Sequence, residues 1–209
     1  IGTFLARNYM ILPKGEKNYR PAQPGDIAIL CRTNDKCLAM AEALHKAGLK
    51  AATARVGLLS TAEAKLILAV LRYFLNKQDS LAVAEILYLA ENRSLTDIID
   101  DRLDFLHELG DNYDWRWAVE QPFIKKINAL RPQTAELSAN EILNLALEEL
   151  ELRRIIVSWG NVSQRLENID VLRQLSLKYE DACNRLHTAA SLGGFLLWLA
   201  RVGERGEDR

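Results

Sequence analysis

No glycine-rich phosphate loop occurs anywhere in the 209 residues, because no stretch ends in the Gly-Lys-Ser/Thr that such a loop requires. A chain without one has no recognisable means of gripping the phosphates of ATP by itself. Cys31, Cys37 and Cys183 make an odd count with no metal-ligand spacing. They read as reduced, buried thiols of a cytosolic protein rather than a disulfide framework, a zinc site or a nucleophile. His45, His107 and His187 lie far apart, with no Ser/His/Asp or paired-carboxylate pattern around them, and read as ordinary surface or core residues. No apolar run is long enough to span a membrane, since Lys65 and Arg72 bracket the most apolar segment. A secretory signal is missing too. Net charge is −1, so no global basic field exists and any nucleic-acid contact must be local.

What remains is the composition of a soluble globular chain, with 49% hydrophobic and 26% charged residues, long enough for one or two domains with a core. It opens on Ile1 rather than Met and ends in the polar Gly203-Glu204-Arg205-Gly206-Glu207-Asp208-Arg209. It is expected to be a piece of a longer protein.

Thr3 to Leu12 is moderately apolar and predicts a short helix, and Pro13 to Pro24 predicts loop. A Pro24-Gly25-Asp26 turn then feeds Ile27-Ala28-Ile29-Leu30-Cys31, which breaks off at Arg32-Thr33-Asn34. The run is uninterrupted, short and partly β-branched, which predicts a strand buried on both faces, as in a parallel sheet covered by helices. Open α/β sheets place their ligands at the C-terminal edge of such strands, so Arg32 and Asn34 are the residues most exposed to a ligand. A helix from Asn34 to Ala47, closed by Gly48, and a second strand over Lys50 to Val56 complete a strand–helix–strand unit too small to be stable alone.

From Gly57 the pattern is helical throughout. Ser60-Thr61-Ala62-Glu63 matches a capping box, predicting Ser60 and Glu63 as reciprocal caps of a helix from Thr61 to Asn76. That helix is apolar nearly all round, as a central helix packed on several sides would be. Further helices are expected over Ser80 to Ala90, from Ser94 to a stop at Gly110, over Asn140 to Leu152 with Ser138 as cap, and from Ser163 to about Ala189. Asp97, Asp100, Asp101 and Asp104 invite a metal reading, but Asp97, Asp101 and Asp104 recur at helical spacing away from the leucines, which fits a solvated face. Trp115-Arg116-Trp117 could stack bases, yet its amphipathic setting favours aromatic core. In the long helix Leu172, Leu175, Tyr179, Ala182 and Leu186 recur at three and four residues, a seam for antiparallel packing. Gly193-Gly194 precedes a short apolar segment, Phe195 to Val202. The fold class is mainly α with a small α/β element.

Several blocks occur in an order that resembles the UvrD/Rep-type superfamily 1 DNA helicases. Asp26 to Asn34 matches their Asp-Ile-Ala-hydrophobic strand ending in Arg-Thr/Ser-Asn, and Ala47-Gly48-Leu49 their Ala-Gly-Ile/Leu step. Gly57-Leu58-Leu59-Ser60-Thr61-Ala62-Glu63 is closer in wording to the AddA/RecB helicase-nucleases. Arg165-Leu166-Glu167-Asn168-Ile169-Asp170-Val171-Leu172, with Tyr179-Glu180, resembles an Arg-x-x-Asn-Leu-x-x-Leu helix of AddA-type chains. Phe195-Leu196-Leu197-Trp198-Leu199 resembles the segment before their second cluster of motifs. Between about Arg93 and Asn161 the likeness is loose.

The resemblance implies that residues 1–59 belong to the second RecA-like motor domain and residues 60–209 to the helical subdomain inserted into it. It implies a parent ATP-dependent DNA helicase, with a nuclease in the helicase-exonuclease variety, acting in recombination and double-strand break repair in the cytoplasm. ATP and Mg²⁺ would belong to the parent, with neither held by these 209 residues. Single-stranded DNA would lie over Arg32, Thr33 and Asn34. Duplex DNA at the junction and a second helicase-nuclease subunit are further partners the resemblance leaves room for, and a membrane is not among them. The alternative from residue pattern is a helical protein–protein adaptor without catalytic activity.

Overall fold

The computed structural model describes residues 7, 9–13, 18–48, 57–110, 114 and 116–204. The chain falls into two compact units, Ile1–Val56 and Gly57–Arg209.

In the first unit, β1 (Met10–Ile11) pairs antiparallel with β2 (Arg20–Pro21), Met10 facing Pro21 and Ile11 facing Arg20. Met10 and Ile11 are therefore extended, not helical as their apolar character predicts, because a ladder partner outweighs weak local preference. A 3₁₀ turn at Pro24–Asp26 follows. It is fastened by the Arg20 guanidinium, which donates to both Asp26 carboxylate oxygens at 2.7 and 2.9 Å. The Gln23 backbone N–H donates to Asp26 as well, at 2.7 Å. Helix α1 (Asn34–Lys46) closes the described part of the unit. The strand expected over Lys50 to Val56 lies outside the described residues.

The expected buried strand over Ile27–Cys31 does not form. The stretch is irregular, Leu30 is 97% exposed and Ile29 is exposed as well. The reason is hydrogen bonding. A strand buried on both faces needs neighbours on both edges, and the sheet found among the described residues consists of β1 and β2.

The second unit is helical. It comprises α2 (Ala62–Leu75), α3 (Ser80–Leu89), α4 (Leu95–Leu109) and α5 (Pro122–Leu130), then α6 (Ala139–Glu149), α7 (Leu152–Ser158), α8 (Val162–Arg185) and α9 (Leu192–Glu204). With the small element before it, the molecule is mainly α with a small α/β part. None of these helices is long and apolar enough to cross a membrane.

Helix α2 is the axis of the unit and packs against α3, α5, α6, α8 and α9. Leu66, Ile67, Ala69, Val70, Leu71 and Tyr73 on it are fully buried, which its all-round apolar sequence predicts. Its C-terminal carbonyls are met by a distant side chain: Arg131 donates to the backbone oxygens of Tyr73 and Phe74, with its guanidinium 5.3 Å from the Tyr73 ring centre. Helix α5 is likewise started from afar, the Glu91 carboxylate accepting from the Phe123 N–H at 2.9 Å.

Four helix boundaries differ from expectation, among them the end of α8, which lies at Arg185 and not near Ala189. Thr61, not Ser60, caps α2: its Oγ1 accepts from the Ala64 N–H at 3.4 Å and donates to the Leu58 carbonyl at 2.7 Å. Ser60 sits inside a 3₁₀ turn, Leu58–Ser60, and so cannot take the extended backbone a cap needs. The helix expected over Asn140–Leu152 ends at Glu149, and Glu151 adopts a left-handed conformation before α7. Leu150 and Leu152 are both buried, and two positions apart on one helix would point them to nearly opposite sides. Gly193 and Gly194 lie within the first turn of α9 rather than before it. The long-helix seam holds through Leu172, Leu175 and the half-buried Tyr179, but Ala182 and Leu186 are exposed and Cys183 takes the inner position. Ser138 caps α6 as expected, completing a capping box with Glu141.

Candidate nucleic-acid interface

Arg32, Thr33 and Asn34 stand at the start of α1. Thr33 is its cap: Oγ1 accepts from the Lys36 N–H at 3.4 Å, and the Thr33 carbonyl accepts from the Cys37 N–H at 3.1 Å. Asn34 is the first residue of the helix, where the sequence starts it. The side chains of Asn34 and Asp35 lie outside the described residues. Arg32 and Thr33 are exposed. Arg32 thus presents a planar, permanently charged fork beside a helix N-terminus, where backbone N–H groups lack intrahelical acceptors and the helix dipole favours anions. The support is an irregular lead-in followed by a capped helix, in place of the rigid strand edge expected.

Cys31 and Cys37 flank this corner, both half-buried and free. A hydrogen bond with Cys37 holds the Cys31 thiol above its usual range, with burial acting in the same direction. The thiol therefore stays protonated, and a nucleophilic role is disfavoured. Trp117 is 2% exposed with the Arg102 guanidinium 5.4 Å from its ring centre, so it belongs to the core and not to a base-stacking surface. Trp115 lies outside the described residues. Among the described residues no cluster of His, Cys, Asp and Glu could hold a metal ion.

A polar cluster that residue-by-residue reading missed lies in the second unit. Glu63, in the first turn of α2, is 3% exposed. Its carboxylate accepts from Arg165 Nη1 at 2.5 Å and from the Asn168 side-chain amide, both on α8. Arg165 also donates to the Gly160 carbonyl at 2.8 Å and lies over Trp159, 5.3 Å from its ring centre. Each group is satisfied, so the cluster fastens α2 to α8 and leaves nothing free for chemistry. The signal was present in two separate motifs, the Glu63 block and the Arg165–Asn168 block. Their separation of 102 and 105 residues hid the pairing.

A family model for the UvrD-like helicase C-terminal domain matches residues 14–196. No curated protein matches the chain. The matched span takes in the Arg32–Asn34 corner, the central helix α2 and the whole Glu63–Arg165–Asn168 cluster. The chain therefore belongs to the UvrD-like helicases and carries the C-terminal domain of an ATP-dependent, DNA-binding helicase.

Proposed function

We propose that residues 1–59 form part of the second RecA-like motor domain of this helicase and residues 60–209 its inserted helical subdomain. In this reading the parent is a helicase-exonuclease of the AddA/RecB kind, cytoplasmic, working in recombination and double-strand break repair. Single-stranded DNA runs past Arg32, Thr33 and Asn34. A second helicase-nuclease subunit and duplex DNA at the junction are its further partners. The observation that carries the reading is the family match through both units, with the Arg-Thr-Asn corner inside it. The exposed middle of the Ile27–Cys31 run adds support. Its 97% exposed Leu30 is what a strand cut off from its sheet would show, and what a free-standing adaptor would have covered.

The residues present do not fit ATP: the chain has no Gly-Lys-Ser/Thr loop to hold phosphates. ATP and Mg²⁺ are assigned to other parts of the parent, and the 209-residue chain alone is expected to release no phosphate from ATP in the presence of DNA. Phosphate release above buffer background, lost on mutating residues of this chain, would overturn that assignment.

The DNA role is tested in the intact parent with Arg32→Ala. Losing one phosphate contact weakens single-strand binding and flattens the slope of log affinity against log salt by roughly 0.7. A purely structural Arg32 would lower the melting temperature and leave the slope unchanged. Wild-type affinity and salt dependence in the variant would remove Arg32 from the interface.

A further inference from the structure

Helix α4 buries one edge of its apolar surface and leaves the other bare. On the covered edge, Ile98 is 3% exposed and Arg102 lies between the rings of Phe105 and Trp117, 5.1 and 5.4 Å from their centres. On the bare edge, Leu95 (58% exposed), Ile99 (57%), Leu103 (49%) and Leu106 (38%) follow one another at four, four and three residues. That spacing lines large side chains along one stripe of a helix, the pattern of a helix-pairing seam. Four large aliphatic side chains aligned over three turns are more than the scattered exposure any soluble surface shows.

Charge decides what fits there. Asp100 and Asp104 stand nearest the stripe on its polar side, with Asp97 and Glu108 further round the helix, all exposed. Arg102 is turned inward over the two aromatic rings, and the other basic residue of the helix, His107, is exposed in its last turn. Nucleic acid is repelled by such a flank. A second copy of the same face would set acid against acid across the seam. A helix with an apolar stripe and a flank of Lys or Arg satisfies both halves of the surface at once.

We propose that the outer face of α4 is a docking site for a basic amphipathic helix of a partner protein, with Leu95, Ile99, Leu103 and Leu106 as anchors and Asp100 and Asp104 as the charged rim. The proposal does not rest on the helicase reading.

The test uses the 209-residue chain and a fluorescent eighteen-residue helical peptide, with leucines at the same four-four-three spacing and lysines alongside. A control peptide carries glutamates in place of the lysines. The lysine peptide is expected to bind saturably and more weakly as salt rises, and the glutamate peptide is expected not to bind. Ile99→Ser/Leu103→Ser should weaken binding roughly tenfold or more, as loss of central anchors does. Asp100→Asn/Asp104→Asn, confined to the solvated flank, should reduce both affinity and its salt dependence even if the serine variant folds poorly. Equal binding of the two peptides, no binding of either, or wild-type affinity in both variants overturns the proposal. A dimer in sedimentation that the serine variant dissolves would assign the face to a second copy instead. Duplex DNA binding lost in that variant would assign it to nucleic acid, and either result overturns the basic helix.

Discussion

Glu63 shows how much one side chain decides in this molecule. A carboxylate 3% exposed is tolerable only while Arg165 and Asn168 both donate to it. Glu63→Ala leaves a guanidinium and an amide facing the gap. Arg165 keeps 20% of its surface in water and recovers part of its solvation, so the expected loss is about 3 kcal/mol, at the lower end for a broken buried pair. Urea denaturation measures it, and Glu63→Ala/Arg165→Met should recover part of the loss; additive losses would mean the two residues do not share this energy. The cap of α2 offers a sharper residue-scale comparison. Thr61→Ala should cost about 1 kcal/mol, and Ser60→Ala should stay within about 0.5 kcal/mol of the parent. A reversed order of denaturation midpoints would return the cap to Ser60. The sequence pattern Ser60-Thr61-Ala62-Glu63 made Ser60 and Glu63 the natural pair. What it could not show is that Glu63 is drawn away to α8 while a 3₁₀ turn occupies Ser60.

At the scale of elements, α9 lies against α8 with no room for a side chain at one point. A Cβ placed on Gly194 would sit 2.1 Å from the Tyr179 hydroxyl oxygen, far inside van der Waals contact. Tyr179 cannot swing away freely, since its ring packs against Phe195 and Trp198 at centroid distances of 5.6 and 5.9 Å. Gly194→Ala should therefore destabilise by about 1–3 kcal/mol through overpacking, despite alanine's better helix propensity. Tyr179→Phe in the same chain removes the clashing atom and should recover much of that loss; thermal melts of both single variants and the double variant decide. The capping box of α6 makes a prediction in pH. Hydrogen bonds from the Ser138 backbone and side chain hold the Glu141 carboxyl below its ordinary range. A folded-state value below the unfolded one means the contribution is complete above the unfolded carboxylate range. It is lost as pH falls through the lower folded value. Wild type should accordingly lose more stability between pH 6 and pH 3 than Glu141→Gln, read as the difference in urea midpoints. Parallel pH profiles would show that Glu141 contributes nothing through its charge.

For the whole molecule, the second unit is held by one connected core around α2, and the largest single losses should come from its centre. Leu71 is fully buried, and Leu71→Ala removes three carbons into a space closed on all sides, with an expected cost of about 3 kcal/mol. Exposed positions on the same unit, such as Leu197 at 70%, should tolerate alanine within about 0.5 kcal/mol. A denaturation series in which the two substitutions cost the same would contradict the core as described.

The sequence by itself determined the class of the molecule and most of its helices. Period-3.6 patterning, Ser94, Ser138 and Gly110 are local signals, and the helices they mark are present, with the starts set by Ser94 and Ser138 and the stop at Gly110 where they place them. The helicase family was also legible, because its motifs are short strings of neighbouring residues. Tertiary structure decided what depends on distant partners. Ile27–Cys31 carries a strand's composition but lacks a ladder among the described residues, so it stays irregular, with Ala28, Ile29 and Leu30 exposed. No glycine or proline marks the break at Glu151. It follows from burying both Leu150 and Leu152, which one straight helix cannot do. The apolar stripe of α4 reads in sequence as core like any other, and only the packed structure leaves half of it facing water. Local propensity acts over a few residues, whereas the hydrogen-bond partner of a strand, the neighbour of a buried carboxylate and the cover of an apolar face are supplied across a hundred residues or by another molecule.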